Sequence, residues 1–346
     1  METPYKVLIT GGCGYIGSHT AIDLLNKGFE VISIDNFSRS RTDVPERIKN
    51  ITGKSFQNYR VDCRDLNKLR SIFEEHGDIQ GIIHFAAFKS VGESVDKPLI
   101  YYDNNINALI NMLRICDEFD VKDFVFSSSC SVYGNASSLP VDELTELMPP
   151  ESPYGWTKLF SEQIIKDHAV KTAERKFILL RYFNPVGAHE SGMIGEIPWG
   201  VPSNVVPAIT RTAIGKQDKF LIFGDDYPTA DGSCVRDYIH VMDIADAHTK
   251  ALQFLIENKN NSNCEIFNLG SGNGVSVLQL VNAFTEINQV PLNYEIAEKR
   301  AGDVIAIYAD NKKAQSELGW NCTRSIKDMM QSAWLWEQQM EKESEE

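Results

Sequence analysis

The stretch Lys6-Val7-Leu8-Ile9-Thr10-Gly11-Gly12-Cys13-Gly14-Tyr15-Ile16-Gly17 decides the fold. A short apolar run, a glycine cluster and a helix-like pattern from Tyr15 to Asn26 follow one another without a break. That order predicts a strand, a tight turn and a helix. Gly11 permits the turn, Gly14 lets the backbone approach a pyrophosphate, and Gly17 lets helix and sheet pack closely. The helix N-terminus then turns unpaired N–H groups toward an anion.

Glycines alone are a weak signal, and the context strengthens them. Asp35 ends the next apolar run, Phe29-Glu30-Val31-Ile32-Ser33-Ile34-Asp35, eighteen positions after Gly17. A carboxylate there can accept hydrogen bonds from a ribose diol and would repel a 2′-phosphate, so NAD is favoured over NADP. Arg39 and Arg41 follow closely and pull the other way.

Outward from this unit, strand-like and helix-like segments keep alternating: Ile79 to Ala87, a helix from about Asn104 to Phe119, the strand Phe124 to Ser129, a helix from about Tyr154, and Phe177 to Phe183. Repeated βαβ units with nearly continuous apolar strands predict an α/β fold, a doubly wound parallel (Rossmann) sheet covered on both faces. The segment from Asn184 to Asn204 is rich in Gly, Pro and Asn, too irregular for a core element and long enough to bind something. The expected organisation is a dinucleotide-binding domain over 1–183 and a smaller C-terminal α/β substrate-binding lobe over 184–346, with about 237–270 returning to the first domain. Ser276 and Gln279 form a capping-box pattern, a last helix is expected from Ser325 to about Met340, and the acidic tail from Glu341 is expected to fray.

Tyr154 and Lys158 stand four residues apart just after Pro153. On a helix they share a face. A lysine ammonium near a phenol favours the phenolate, which would make Tyr154 a general base. Ser127-Ser128-Ser129 ends a strand at the edge where parallel sheets bind ligands, and a hydroxyl there can share in proton transfer.

Composition excludes several other classes. A net charge of −14 argues against a nucleic-acid surface. Seven scattered cysteines without a C-x-x-C spacing give neither a disulfide framework nor a zinc site, and no metal is expected. No signal-like leader and no segment near the roughly 20 apolar residues of a membrane span is present, so the cytoplasm is the expected location.

The glycine loop, the serine and the Y-x-x-x-K pair together resemble the extended short-chain dehydrogenase/reductase family. Longer runs (Tyr5 to His19, Phe85 to Ser94, Phe126 to Gly134, Arg181 to His189, Val235 to Val241) resemble its UDP-glucose 4-epimerase branch, with likeness from about residue 5 to 336. The resemblance implies cofactor contacts from Tyr15 and Ile16 at the pyrophosphate, Asn36 beside Asp35 at the adenosine ribose, and Asp62 and Cys63 at adenine. Phe85, Ala86, Ala87, Lys89, Asn104 and Phe183 would line the rest of the NAD path. Lys89 is expected on charge as well, since a pyrophosphate needs a cation. For a nucleotide sugar it implies Asn184 and Asn204, Leu221 and Phe223 around uracil, Arg236 and Arg300 on the diphosphate, and Asp303 at the uridine ribose. Arginine suits phosphate through its two-pronged donor geometry.

Cys130 and Ser131 replace the family's usual Ala and Thr, and Trp156 stands where Lys is common. At Ile307, members carry either a bulky tyrosine, which excludes a 2-N-acetyl group, or a small residue, and isoleucine lies between. The implied activity is reversible inversion at carbon 4 of UDP-galactose and UDP-glucose through a transient 4-keto sugar. Ser129, Tyr154 and Lys158 would be catalytic and contact both cofactor and sugar, with Tyr154 as base and bound NAD as hydride acceptor and donor. The alternatives are a nucleotide-sugar 4,6-dehydratase or reductase, and a non-catalytic NAD-sensing regulator. A homodimer through paired helices is also implied, with helices near 104–119 and 154–171 as its candidates.

Overall fold

The computed structural model describes residues 4–345 except 173, 201, 203 and 300–303. The chain first lays down β1 (Lys6–Thr10), β2 (Glu30–Ile34), β3 (Gln57–Tyr59), β4 (Gly81–His84), β5 (Asp123–Ser129) and β6 (Lys176–Tyr182). It then forms β7 (Asn184–Val186), β8 (Phe220–Phe223), β9 (Val235–Arg236) and β10 (Tyr238–His240), and follows them with β11 (Cys264–Leu269). Finally come β12 (Val275–Ser276), β13 (Tyr294–Ala297) and β14 (Ala306–Ile307).

Seven strands make one sheet in the order β11-β6-β5-β4-β1-β2-β3, and every pairing in it is parallel. This is the doubly wound arrangement expected from the sequence. Its switch point falls between β1 and β4, where crevices form beyond the carboxyl ends of the strands. Alternation along β1 divides the core: Val7 and Ile9 face one hydrophobic layer, Leu8 the other. The first layer is closed by the helices Tyr15–Asn26 and Val241–Ile256, which pack together and are pinned by Thr249 Oγ1 donating to Asp23 and by a Lys27–Asp246 ion pair. The second is closed by Leu66–Glu75, Pro98–Glu118 and Pro153–Lys171.

Beyond Tyr182 the chain builds a separate hydrophobic cluster from Val205–Ala213, β8, Val277–Asn288 and Ile326–Glu345. β8 pairs with β13, β9 lies between β12 and β14, and β7 pairs with β10. Ser276 caps its helix through the predicted box with Gln279.

Two expectations are corrected. The helix predicted from Asn104 begins at Pro98, whose fixed φ and missing N–H suit the first helical turn. Over its described residues the acidic tail does not fray: the last helix runs from Ile326 to Glu345, with Glu343 paired to Arg47 at 2.6 Å and to Arg41 at 3.3 Å and Glu341 paired to Lys216.

Candidate active site

A cleft of about 1040 Å³ runs along the carboxyl edge of the sheet, between it and the C-terminal lobe. At one end lies the glycine loop. Gly14 is the N-cap of the helix Tyr15–Asn26 and offers no side-chain cap, so the first N–H groups of the helix are left facing the cleft. Gly11 holds a φ of +69°, and a Cβ added at Gly17 would lie 2.2 Å from the Gly11 carbonyl oxygen. The loop tolerates no side chain there and presents bare backbone to its ligand. An uncapped helix terminus, this cradle, a carboxylate at the end of β2 and the Lys89 ammonium fit a dinucleotide.

The Asp35 carboxylate lines the cleft but is more committed than its position in the sequence suggests. It accepts from Cys13 N at 3.1 Å, Phe37 N at 2.8 Å and Ser40 Oγ at 2.8 Å. Burial raises its pKa, and these hydrogen bonds oppose the rise only in part. Beside it Asn36 Nδ2 donates to Asp62 at 3.2 Å, with Asp62 also held by Arg64. Arg39 and Arg41 also line the cleft, but each is already paired: Arg39 with Glu93 at 2.8 Å and Arg41 with Asp43 at 2.5 Å. Both cations that argued for a 2′-phosphate therefore have carboxylate partners.

Cys63, Phe85, Ala86, Ala87, Asn104 and Phe183 line the cleft, along with Tyr15, Ile16, Asn36 and Asp62. Asn104 Nδ2 donates to Asn105 at 3.0 Å, and Asn105 in turn donates to Thr157 Oγ1 at 3.0 Å, which ties this wall to the helix carrying Tyr154.

That helix is positioned by local chemistry. Ser152 caps it by accepting from Gly155 N at 3.2 Å, and Pro153 occupies its first turn. Tyr154 and Lys158 consequently point together into the middle of the cleft, with Lys158 Nζ 6.0 Å from the Tyr154 ring centroid. The ammonium donates to the Ser127 carbonyl at 2.6 Å and sits over Phe126. The three serines of the run separate. Ser127 Oγ bonds the Tyr182 hydroxyl, Ser128 Oγ donates to Glu162 at 2.6 Å, and Ser129, whose Oγ accepts from Ser131 N at 3.2 Å, lines the cleft with Tyr154.

One electrostatic expectation is reversed. Burial pushes the Tyr154 phenol up to about 12, and the neighbouring Ser129 hydroxyl offsets this only partly. Burial likewise draws Lys158 down to about 7 against the pull of Glu162. Desolvation is the largest cause for both groups, which are withdrawn from water together.

At the far end, alternation on β8 sends Phe220 and Ile222 into the lobe's core while Leu221 and Phe223 stay partly open to the cleft. Asn184 on β7, Asn204 at the start of Val205–Ala213, and Arg236 on β9 line the same end, as does Ile307. Arg300 and Asp303 lie outside the described residues. Sequence reasoning missed Glu196, a carboxylate inside the cleft that pairs with Lys89 at 2.5 Å. Its only signal is being a lone acid in the Gly- and Pro-rich stretch Gly192 to Pro202.

Comparisons with known proteins agree with this architecture. A family model described as GDP-mannose 4,6 dehydratase matches residues 8–333. UDP-glucose 4-epimerase of Haemophilus influenzae is 46% identical over 331 residues, covering 96% of this chain and 97% of that protein. The crystal structure of UDP-glucose 4-epimerase from Stenotrophomonas maltophila with bound NAD and formylated UDP-arabinopyranose superposes with a TM-score of 0.94 at 43% identity, covering 98% of this chain and 99% of the other. That from Bifidobacterium longum in complex with NAD+ and UDP gives 0.92 at 44% identity, covering 96% and 98%. With the parallel sheet, the glycine cradle and the Ser129–Tyr154–Lys158 cluster alongside such likeness over nearly its whole length, the chain belongs to the UDP-glucose 4-epimerase family of extended short-chain dehydrogenase/reductases.

Proposed function

We infer that the protein interconverts UDP-galactose and UDP-glucose by inverting carbon 4, as an NAD-dependent epimerase. The observation that carries this reading is the convergence of Ser129, Tyr154 and Lys158 midway along a cleft with a dinucleotide cradle at one end and Arg236 at the other. Tyr154 removes the proton of the sugar's 4-hydroxyl, and the Ser129 hydroxyl in the same cleft would hydrogen-bond the reacting oxygen. When bound, NAD supplies hydride acceptance and return, and a positive ring charge that favours the phenolate. The glycine loop, Asp35 with Asn36, Asp62 and Cys63, and the wall from Phe85 to Lys89 with Asn104 and Phe183 hold it. Arg236 and Arg300 grip the diphosphate, Leu221 and Phe223 flank uracil, and Asn184, Asn204 and Asp303 complete the nucleotide-sugar site. The 4-keto sugar turns over within that grip, and Tyr154 then returns the proton, so the configuration inverts without net redox change.

A dehydratase needs an acid and a base beside the serine to eliminate water. Cys130 stands there instead, and burial pushes its thiol up to about 12, which leaves it a poor proton carrier. Incubating the purified protein with UDP-galactose and no added NAD is expected to yield UDP-glucose, measured by chromatography. No product even after NAD is supplied sinks the reading.

The division into a cofactor domain over 1–183 and a substrate lobe over 184–346, with 237–270 returning, is supported by β11 pairing with β6. Homodimerisation is supported by exposed apolar side chains on adjoining helices: Val95 is 59% exposed, Leu99 79% and Phe160 43%, with Trp156 and Tyr102 packed against Phe160. Exposed apolar side chains gathered on adjoining helices mark a protein–protein contact. Leu99→Glu with Phe160→Glu is expected to convert dimer to monomer in sedimentation, and a native protein that sediments as a monomer refutes the proposal. Seven free cysteines suit the reducing cytoplasm. No helix among the described residues is long and apolar enough to cross a membrane.

A further inference from the structure

Glu196 lies where the two ligand grips meet. Its side chain is 9% exposed. A single oxygen, Oε1, accepts from Lys89 Nζ at 2.5 Å and from Asn204 Nδ2 at 2.7 Å. Lys89 is on the cofactor wall, its ammonium 5.5 Å from the Tyr15 ring centroid, whereas Asn204 opens the helix Val205–Ala213 at the nucleotide-sugar end.

The backbone around this carboxylate is clamped. The Glu196 carbonyl accepts from Trp336 Nε1 at 2.9 Å. Gly195 lies so close to the same indole that an added Cβ would meet it at 2.4 Å. Three residues earlier the Met193 carbonyl accepts from Arg47 at 2.9 Å, and Arg47 pairs with Glu343 on the helix that carries Trp336. Glu196 is thus held by both the sheet domain and the C-terminal helix, unlike a solvated surface acid.

An oxygen shared by two donors links them. If Lys89 swings toward a pyrophosphate, Asn204 loses its competitor for Oε1. If a nucleotide sugar draws Asn204 away, Lys89 gains an undivided partner. We propose that Glu196 is a positioning residue that couples the hold on the dinucleotide, through Lys89, to the hold on the nucleotide sugar, through Asn204. This rests on the assignment of Lys89 and Asn204 under the proposed function. Such coupling is reciprocal by thermodynamic necessity.

The test is the dissociation constant of NAD from the purified protein, with and without saturating UDP. In the native protein UDP is expected to change that constant by roughly 5–150-fold. In Glu196→Gln, which keeps the shape and removes the charge, the ratio is expected to collapse toward unity. A purely structural role would alter both constants alike and leave the ratio intact. Asn204→Ala should reduce the ratio equally, and the double variant no further, so the test survives if Glu196→Gln does not fold. A native ratio of unity, or a ratio in folded Glu196→Gln or in Asn204→Ala within about twofold of native, overturns the coupling. Native holoenzyme that fails to convert UDP-galactose refutes the parent reading instead, and the two failures are read from separate measurements.

Discussion

Replacing Tyr154 by Phe lowers conversion of UDP-galactose by about 10²–10⁴-fold, the range a positioned acid–base group contributes. The substitution removes one oxygen and keeps the ring, so the helix cap at Ser152 and the packing of Pro153–Lys171 are untouched. It also leaves the Lys158 ammonium on the Ser127 carbonyl. Cofactor content, read as NAD released on denaturation, is expected to stay near native, which separates loss of chemistry from loss of binding. The same variant discriminates against a silent NAD-sensing role, whose cofactor-dependent behaviour would persist without the phenol. A Phe variant that retains activity within about tenfold of native would remove Tyr154 from the role of base.

The phenol's burial makes this prediction sharper than the sequence spacing alone allows. Y-x-x-x-K announces that two side chains share a helix face, and it cannot announce how much water surrounds them. In the folded protein Tyr154 is pushed up to about 12 and Lys158 down to about 7, both by burial. Pairwise charge reasoning predicts the opposite direction for the phenol because desolvation is a property of the whole surrounding shell.

Local patterns were legible for the same physical reason that made them strong: they are enforced by nearest neighbours. Continuous apolar strands, the glycine cradle and the Ser276–Gln279 box each depend on a few adjacent positions. What escaped depends on distant ones. Arg39 finds Glu93 and Arg41 finds Glu343 only after the sheet and the C-terminal helix are assembled. Glu196 faces Lys89 across a sequence separation of 107 residues. The tail from Glu341 looked unpaired because its partners, Lys216, Arg41 and Arg47, lie far upstream.

The second large effect concerns the layer beneath the carboxyl end of β5. Glu162 and Arg181 have side chains 0% and 1% exposed and meet through two hydrogen bonds of 2.8 and 2.6 Å. The pair is completed by Ser128 Oγ on Glu162 and by Arg181 Nη1 donating to Tyr133, whose hydroxyl reaches Asn268 at 2.7 Å. Glu162→Ala is expected to destabilise the protein by about 3–5 kcal/mol, because Arg181 would be left charged and buried without its partner. Replacing both by apolar residues of similar size, Glu162→Leu with Arg181→Met, should recover most of that loss, since the cost lies in the orphaned charge. Urea unfolding followed by tryptophan fluorescence measures both, and a single-variant loss below about 1 kcal/mol would show that water or a neighbour relieves Arg181. The pH dependence has a definite sign. Burial raises the Glu162 carboxyl, but Arg181, Ser128 and Lys166 together leave it below its ordinary value near 4.5. Its contribution is therefore fully present above that value and fades as pH falls through the lower folded one. Native protein should lose stability more steeply with acid over that window than the Leu–Met double variant, whose layer holds no carboxylate to protonate.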